Sequence, residues 1–272
     1  MSSTIVSHIG KSQLGSAINF KQYVFNNNHK IITIIGEYHN YDFNCVNNKD
    51  ISDYCVERVN NNSNCRILLE YSKYDDPKTI GSTTINSTYK KLLKHKKQKH
   101  IIPVDFRTLF LKSDGQSKLY DIKWEKEGHL NKNKILKAYI NSFFVKAKKI
   151  LTISPKKYNP ESYRNIYRYI STVIAPEFNF INDNFDRFDI GPLQEELRLV
   201  WNKVMDIGIL IQILKKDTTD EYIVIAGNRH CNNIQRMLEL YFHSEFKLIH
   251  SQTYTESKCI QLNGTYKKEK KD

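Results

Sequence analysis

Glycine and proline are scarce in this chain of 272 residues, which has 10 and 6 of them. Collagen-like and low-complexity proteins are therefore excluded, and a turn-rich β-sandwich is disfavoured. No apolar run approaches the roughly 18 residues that span a bilayer, and the amino-terminal segment MSSTIVSHIGKSQLGS lacks the apolar core of a secretory signal. The hydrophobic fraction of 40% is ample for a packed core. We expect a soluble, cytoplasmic protein that is not secreted.

Cysteine pairs with the spacing of a zinc or redox motif are also missing. The five cysteines are odd in number and include no CxxC pair: Cys45, Cys55, Cys65, Cys231 and Cys259. Such cysteines are typical of reduced thiols in a reducing compartment.

Four short apolar segments predict strands of a largely parallel sheet. They are residues 30–35 (KIITII), 66–69 (RILL), 100–104 (HIIPV) and 221–226 (EYIVIA). Each is rich in β-branched residues and nearly continuous, which is the pattern of strands covered on both faces. Apolar residues at helical spacing predict helices between and after these strands, at 49–59, 84–97, 133–151, 193–214 and 232–242. Two further strands are predicted at 246–250 and 258–262.

This alternation predicts an α/β fold with a largely parallel central sheet and flanking helices. The helical stretch at 130–216 predicts an insertion or cap between the two halves of the sheet. No break in composition indicates a linker. We therefore expect one domain over residues 1–272, with a basic tail at 267–272.

Ionisable side chains follow all four predicted strands. Glu37 and His39 follow the first strand, Glu70 ends the second, Asp105 and Arg107 end the third, and Arg229 and His230 follow the fourth. Open α/β sheets bind ligands at the carboxyl ends of their strands. The sequence therefore places a functional site at this edge of the sheet.

The first and fourth strands run into similar motifs, IITIIGEYHN and YIVIAGNRHCN. In each, a glycine allows a tight exit from the strand and close backbone approach, and a histidine follows three positions later. If the two strands are neighbours, His39 and His230 face one cleft with Glu37 and Glu70 nearby. Two imidazoles and one or two carboxylates are able to bind a divalent metal with an open position. The same set is also able to act without metal, with histidine as the base that activates water.

The paired GxxH motifs, with a glutamate ending the intervening strand, resemble the Tiki/TraB superfamily. That group includes Tiki-type metalloproteases, erythromycin esterases and ChaN-like haem-binding proteins, and GEYHN looks most like the esterase and ChaN-like branches. The resemblance covers about residues 31–262. It implies that His39, His230 and Glu70 are core site residues with Glu37 beside them. More loosely, it implies that Asp105 and Arg107 are a strand-end acid and a binder of an anionic group.

Each of these residues also has a structural interpretation. His39 is alternatively a buried histidine bonded to a backbone carbonyl, and Glu70 and Arg107 alternatively form a salt bridge at the strand ends. Asp105 and Arg107, two apart on an extended segment, point to the same side and fit either role. For the second motif, Arg229 and the preceding asparagine are alternative working groups to His230.

The resulting hypothesis is a hydrolase of amide or ester bonds. Glu37, His39, Glu70 and His230 are its candidate catalytic residues. His39, His230 and Glu70 are candidate ligands of Mn, Co, Fe or Zn, and Asp105, Arg107 and Arg229 are candidate substrate-binding residues for a small molecule or a peptide. The first alternative is a non-catalytic protein that binds haem or another ligand on the same scaffold.

The second alternative follows from the charge. The chain has 42 Lys and Arg against 29 Asp and Glu, a net charge of +13, with lysine clusters at 90–99, 146–149 and 267–271. Such clusters are able to follow the phosphates of a nucleic acid. They are equally ordinary on the solvated face of a helix, and the sequence has no nucleic-acid-binding signature.

Overall fold

The four continuous apolar segments form neighbouring parallel strands in one sheet of six. The computed structural model describes residues 13–14, 17–25, 30–37, 48–71, 83–105, 129–253 and 260–261. Its strands are β1 (Gln13–Leu14), β2 (Ala17–Phe25), β3 (Ile31–Glu37), β4 (Asn48–Lys49), β5 (Cys65–Leu69), β6 (Ile101–Pro103), β7 (Glu221–Gly227), β8 (Phe246–Thr253) and β9 (Ile260–Gln261). Its α-helices are α1 (Ile51–Asn61), α2 (Thr83–Lys94), α3 (His129–Leu151), α4 (Pro160–Tyr169), α5 (Ala175–Asn184), α6 (Ile190–Ile213) and α7 (Asn228–Tyr241).

The main sheet has the strand order β6-β5-β7-β3-β2-β8. Strands β6, β5, β7 and β3 are mutually parallel, whereas β2 runs antiparallel to both β3 and β8. Glu37 at the end of β3 pairs with Gly227 at the end of β7, and Leu69 at the end of β5 pairs with Ile225. The carboxyl ends of these three strands therefore meet, and the predicted α/β fold is confirmed.

Burial on both faces explains the apolar strands. All seven residues of β3 and all seven of β7 are buried. Ile32 and Ile34 belong to a core that continues into α3 to α7, whereas Ile35 belongs to a second core formed with α1 and α2. Successive residues of a strand point to opposite faces, so each strand supplies both cores.

Helices α3 to α6 follow one another between β6 and β7, in the interval 130–216 where a helical insertion is predicted. A π-helical turn at Ile170–Ile174 joins α4 to α5. Helix α6 is apolar through most of its length and packs against α3, α5 and α7. Within the described ranges, no helix is both long enough and apolar enough to cross a membrane.

Predicted helix boundaries differ from the structure by up to four residues, and strands β1, β2 and β4 were not predicted. Helix α7 begins at Asn228, directly after β7, and not at residue 232, so His230 lies in the first turn of a helix. Helix α2 ends at Lys94, before Lys96 adopts a positive φ of 56°. Strand β2 (AINFKQYVF) was not predicted because Asn19, Lys21 and Gln22 interrupt its apolar residues. Cys45, Cys259 and the basic tail lie outside the described residues, while Cys55, Cys65 and Cys231 are buried free thiols.

Candidate functional site

An open cleft of about 780 Å³ lies at the carboxyl ends of β3, β5 and β7. Ten described residues line it, and all except Gly227 carry a polar or charged side chain: Glu37, Glu70, Arg198, Asn202, Gly227, Asn228, Arg229, His230, Asn232 and Asn233. These side chains offer many hydrogen-bonding groups to a ligand, as a site for a polar molecule requires.

His230 is held in this cleft by a buried carboxylate from the neighbouring helix. Its Nδ1 lies 2.7 Å from Oδ1 of Asp206, in the middle of α6. Asn233, one turn further along α7, donates to the other oxygen of Asp206 at 2.9 Å. Because an ionised carboxylate only accepts hydrogen bonds, it assigns the imidazole proton to Nδ1. The Nε2 atom then keeps its lone pair for a proton or a metal ion.

The environment of Asp206 acts on its pKa in two directions. The residue is 1% exposed, and burial raises the pKa of Asp206 above its ordinary value. The hydrogen bonds from His230 and Asn233 lower the pKa and oppose the effect of burial. The negative charge of Glu70 also raises the pKa of Asp206, because it repels the ionised form of that carboxyl group. The carboxylate is held in place by two donors, His230 and Asn233.

Glu70 faces the other nitrogen of the same imidazole. Its Oε1 lies 3.7 Å from Nε2 of His230, and its Oε2 accepts a 2.6 Å hydrogen bond from the backbone N–H of Gly227. The first distance is too long for a direct hydrogen bond. It is close to the separation of about 3.4–3.6 Å between two ligands that each lie about 2.1 Å from one metal ion. The two atoms are also able to contact one water molecule.

Glu37 places a second carboxylate beside Glu70. It ends β3, is 1% exposed and lines the cleft. The preceding Gly36 explains why the motif needs a glycine here. A Cβ atom at Gly36 would lie only 2.7 Å from Oδ1 of Asn228 and 3.3 Å from its Cα. The absence of a side chain at Gly36 therefore allows the first turn of α7 to pass close to β3.

Two arginines lie at the rim of the cleft. Arg229 is exposed on α7, and Arg198 projects from α6. Arg198 donates from Nε and Nη2 to the two oxygens of Glu195, at 2.7 and 2.5 Å. This pairing and the charge of Arg229 lower the pKa of Glu195. The rim thus carries positive charge above a floor with buried carboxylates.

The structure brings four of the predicted site residues to one cleft: Glu37, Glu70, Arg229 and His230. Asp105 is buried and is not among the described residues that line the cleft. Its backbone N–H donates to the carbonyl of Tyr71 at 3.2 Å. His39 and Arg107 lie outside the described residues, so the pairing of His39 with His230 stays a prediction. Among the described residues, no three His, Cys, Asp or Glu side chains are placed to hold one metal ion. The predicted metal site includes His39 and also stays a prediction.

Asp206, which holds His230, was not predicted from the sequence, and neither were the cleft residues Asn202, Asn233 and Arg198. The signal for Asp206 was present in the segment VMDIGILIQIL, where it is the one acidic residue in an otherwise apolar part of α6. A charged residue on such a helix is rarely buried unless it has a partner. That partner is His230, which is 24 positions away.

No protein-family model, curated protein or solved structure matches this chain. The Tiki/TraB superfamily therefore remains a resemblance that rests on the two GxxH motifs and on Glu70.

Proposed function

We propose that this protein is a hydrolase of ester or amide bonds, with His230 as the general base in the cleft. The observation that carries the proposal is the position of His230 between two buried carboxylates. Asp206 holds Nδ1, and Glu70 faces Nε2 at 3.7 Å. A histidine oriented by a buried carboxylate, with its second nitrogen facing a polar cleft, is the arrangement that proton transfer at neutral pH requires.

In the proposed reaction, Nε2 of His230 removes a proton from a water molecule as the water oxygen bonds to the substrate's carbonyl carbon. Asp206 stabilises the imidazolium that forms, as does the negative charge of Glu70. The proton then passes from His230 to the leaving oxygen or nitrogen as its bond to carbon breaks. Arg229 at the rim is placed to stabilise negative charge on the substrate. Products are an acid and an alcohol or amine, so the atoms balance with one water consumed.

A metal-assisted version of this reaction is supported by the same geometry. A metal-binding histidine commonly donates its other N–H to a carboxylate, as His230 does to Asp206. His230 and Glu70 would hold the ion, with His39 as the predicted third ligand. A divalent metal there would lower the pKa of a bound water and make it a better nucleophile. In both versions the polar side chains of the cleft favour a substrate that has hydrogen-bonding groups.

The test compares hydrolysis of a panel of p-nitrophenyl esters and fluorogenic peptides by four proteins. These are the native protein, His230→Ala, Asp206→Asn and the control His243→Ala, which changes an exposed histidine after α7. We expect His230→Ala to lower kcat/KM about a thousandfold, and the control to match the native protein. The proposal is wrong if His230→Ala keeps native activity. It is also wrong if the native protein cleaves no substrate, with or without added Mn, Co, Fe or Zn.

A further inference from the structure

A second pocket, of about 390 Å³, lies against α6 and shares no described lining residue with the cleft. Three parts of the chain bound it. They are the end of β6 with the residue that follows it (102–104), the carboxyl end of α3 with the segment after it, and the last turns of α6. We call it the lysine pocket. Its fifteen described lining residues include three lysines and no acidic residue.

The floor of the lysine pocket is apolar. Val104, Met205 and Ile211 are buried, and Ile150 and Ile153 are half-buried at its wall. Gly208 of α6 also lines the pocket, and a Cβ there would lie 3.0 Å from Cγ2 of Ile150. The missing side chain leaves room between α6 and α3. A volume in this range is that of a small-molecule site.

Three lysines also line this pocket. Lys149 comes from the last turn of α3, Lys157 from a 3₁₀ turn, and Lys215 from the segment after α6. A backbone contact joins the segments that carry Lys157 and Lys215: the N–H of Lys216 donates to the carbonyl of Lys157 at 2.8 Å. Lys215 donates to Oε1 of Gln212, another lining residue, at 2.5 Å. Burial lowers the pKa of Lys215, and repulsion from Lys157 lowers it further.

The position of Lys215 is not explained by neutralisation of the partial negative charge at the carboxyl end of α6. The free carbonyls at the carboxyl end of a helix attract cations, but a different lysine meets them here. Lys30 is 1% exposed and donates to the carbonyls of Ile213 and Lys215. The nearest acid that acts on Lys215 is Asp217, whose carboxylate accepts from Lys30, from Tyr222 and from the N–H of Thr219.

We propose that the lysine pocket binds an amphipathic anion, with an alkyl or aryl body on the apolar floor and a carboxylate or phosphate head between the lysines. Apolar burial supplies affinity for the body, and charge-assisted hydrogen bonds from Lys157 and Lys215 hold the head. Lys149, in the last turn of α3, adds further attraction for the head. A ligand of this class would lie against the same helix that carries Asp206, on a separate set of residues.

The test is calorimetric titration of the full chain with decanoate, decyl phosphate, hexanoate and decanol. The double variant Lys149→Ala/Lys157→Ala removes two lining charges. Its matched control, Lys148→Ala/Lys156→Ala, removes two exposed lysines that stand next to them in the chain and do not line the pocket. Both variants lower the net charge by the same amount, so general attraction to this basic protein is equal in the two.

We expect decanoate or decyl phosphate to bind the native protein and the control equally, and the lining variant about tenfold more weakly. Hexanoate should bind more weakly than decanoate because it buries fewer methylene groups, and decanol should not distinguish the variants. The two anionic heads show whether carboxylate or phosphate is preferred. Equal affinity of both double variants for the two anions would overturn the proposal, as would no binding of either anion to the native protein.

Discussion

Asp206 and His230 are joined by a 2.7 Å hydrogen bond between two helices that border the cleft, α6 and α7. The bond fixes the imidazole plane and leaves Nε2 on the side of Glu70. Both residues are buried, so the contact does not depend on a mobile surface side chain. This relationship explains how one histidine in a helix's first turn is kept in the orientation that acid–base chemistry needs.

The substitution Asp206→Asn should change the pH dependence of stability. The folded-state pKa of Asp206 is raised by burial, so the folded state binds this proton more tightly than the unfolded state. Stability from this group is present below the unfolded pKa of about 3.9 and is lost as pH rises through the folded pKa. Relative to the native protein, Asp206→Asn should therefore gain free energy of unfolding as pH rises over that window. Urea unfolding of both proteins at several pH values measures the difference, and a difference that falls with pH would contradict the assignment.

Glu70→Gln should show whether the carboxylate that faces His230 contributes to the proposed reaction. The amide oxygen is still able to accept from Gly227, so the fold should survive, but the negative charge facing Nε2 of His230 is lost. We expect kcat/KM to fall about 10- to 100-fold, and the affinity for a divalent metal to fall similarly if one is bound. Elemental analysis of protein purified without a metal-affinity tag, with kinetics, makes the comparison. Glu239→Gln, at an exposed surface pair, is the control. Unchanged activity and metal content in Glu70→Gln would exclude a role for this carboxylate.

Glu221→Gln should destabilise the fold without touching the cleft. Arg58 of α1 donates from Nε and Nη2 to the two oxygens of Glu221, each at 2.8 Å, at the amino end of β7. The Glu221 side chain is 1% exposed and Arg58 11%. Removing one partner of such a pair leaves a largely buried charge, which costs about 3 kcal/mol. The double variant Arg58→Met/Glu221→Met should recover much of that loss in urea unfolding. A loss no larger than that of the surface variant Glu239→Gln would count against this account.

Gly36→Ala should affect both stability and activity. The added Cβ would meet Asn228, including its backbone, so the first turn of α7 must shift, at a cost of about 1–3 kcal/mol. That turn carries His230, so kcat/KM should fall as well. Gly208→Ala is the matched control, since its Cβ meets Cγ2 of Ile150 and no residue of the cleft. Thermal unfolding and kinetics of the pair decide the point: equal kcat/KM in the two variants would show that Gly36 does not position the site.

The sequence predicted those parts of the molecule that depend on burial along a single strand. The parallel strands were found because both of their faces are covered, and the strand-end positions of Glu37, Glu70 and His230 followed from them. Strand β2 was not predicted because polar residues interrupt its apolar pattern, and their burial depends on partners outside the strand. Asn19, for example, donates to Asn232 and Gln235, more than 200 positions away. Asp206 was not predicted as a site residue because its contact with His230 depends on how α6 packs against α7.

Chemical rescue of His230→Ala tests the central claim most directly. The measurement is kcat/KM on the best ester, with increasing concentrations of added imidazole, for His230→Ala and for the control His243→Ala. We predict that His230→Ala is nearly inactive and that imidazole restores part of its activity in proportion to concentration, while the control is active and unchanged. A His230→Ala protein that hydrolyses the ester at the native rate, with no response to imidazole, would contradict the account.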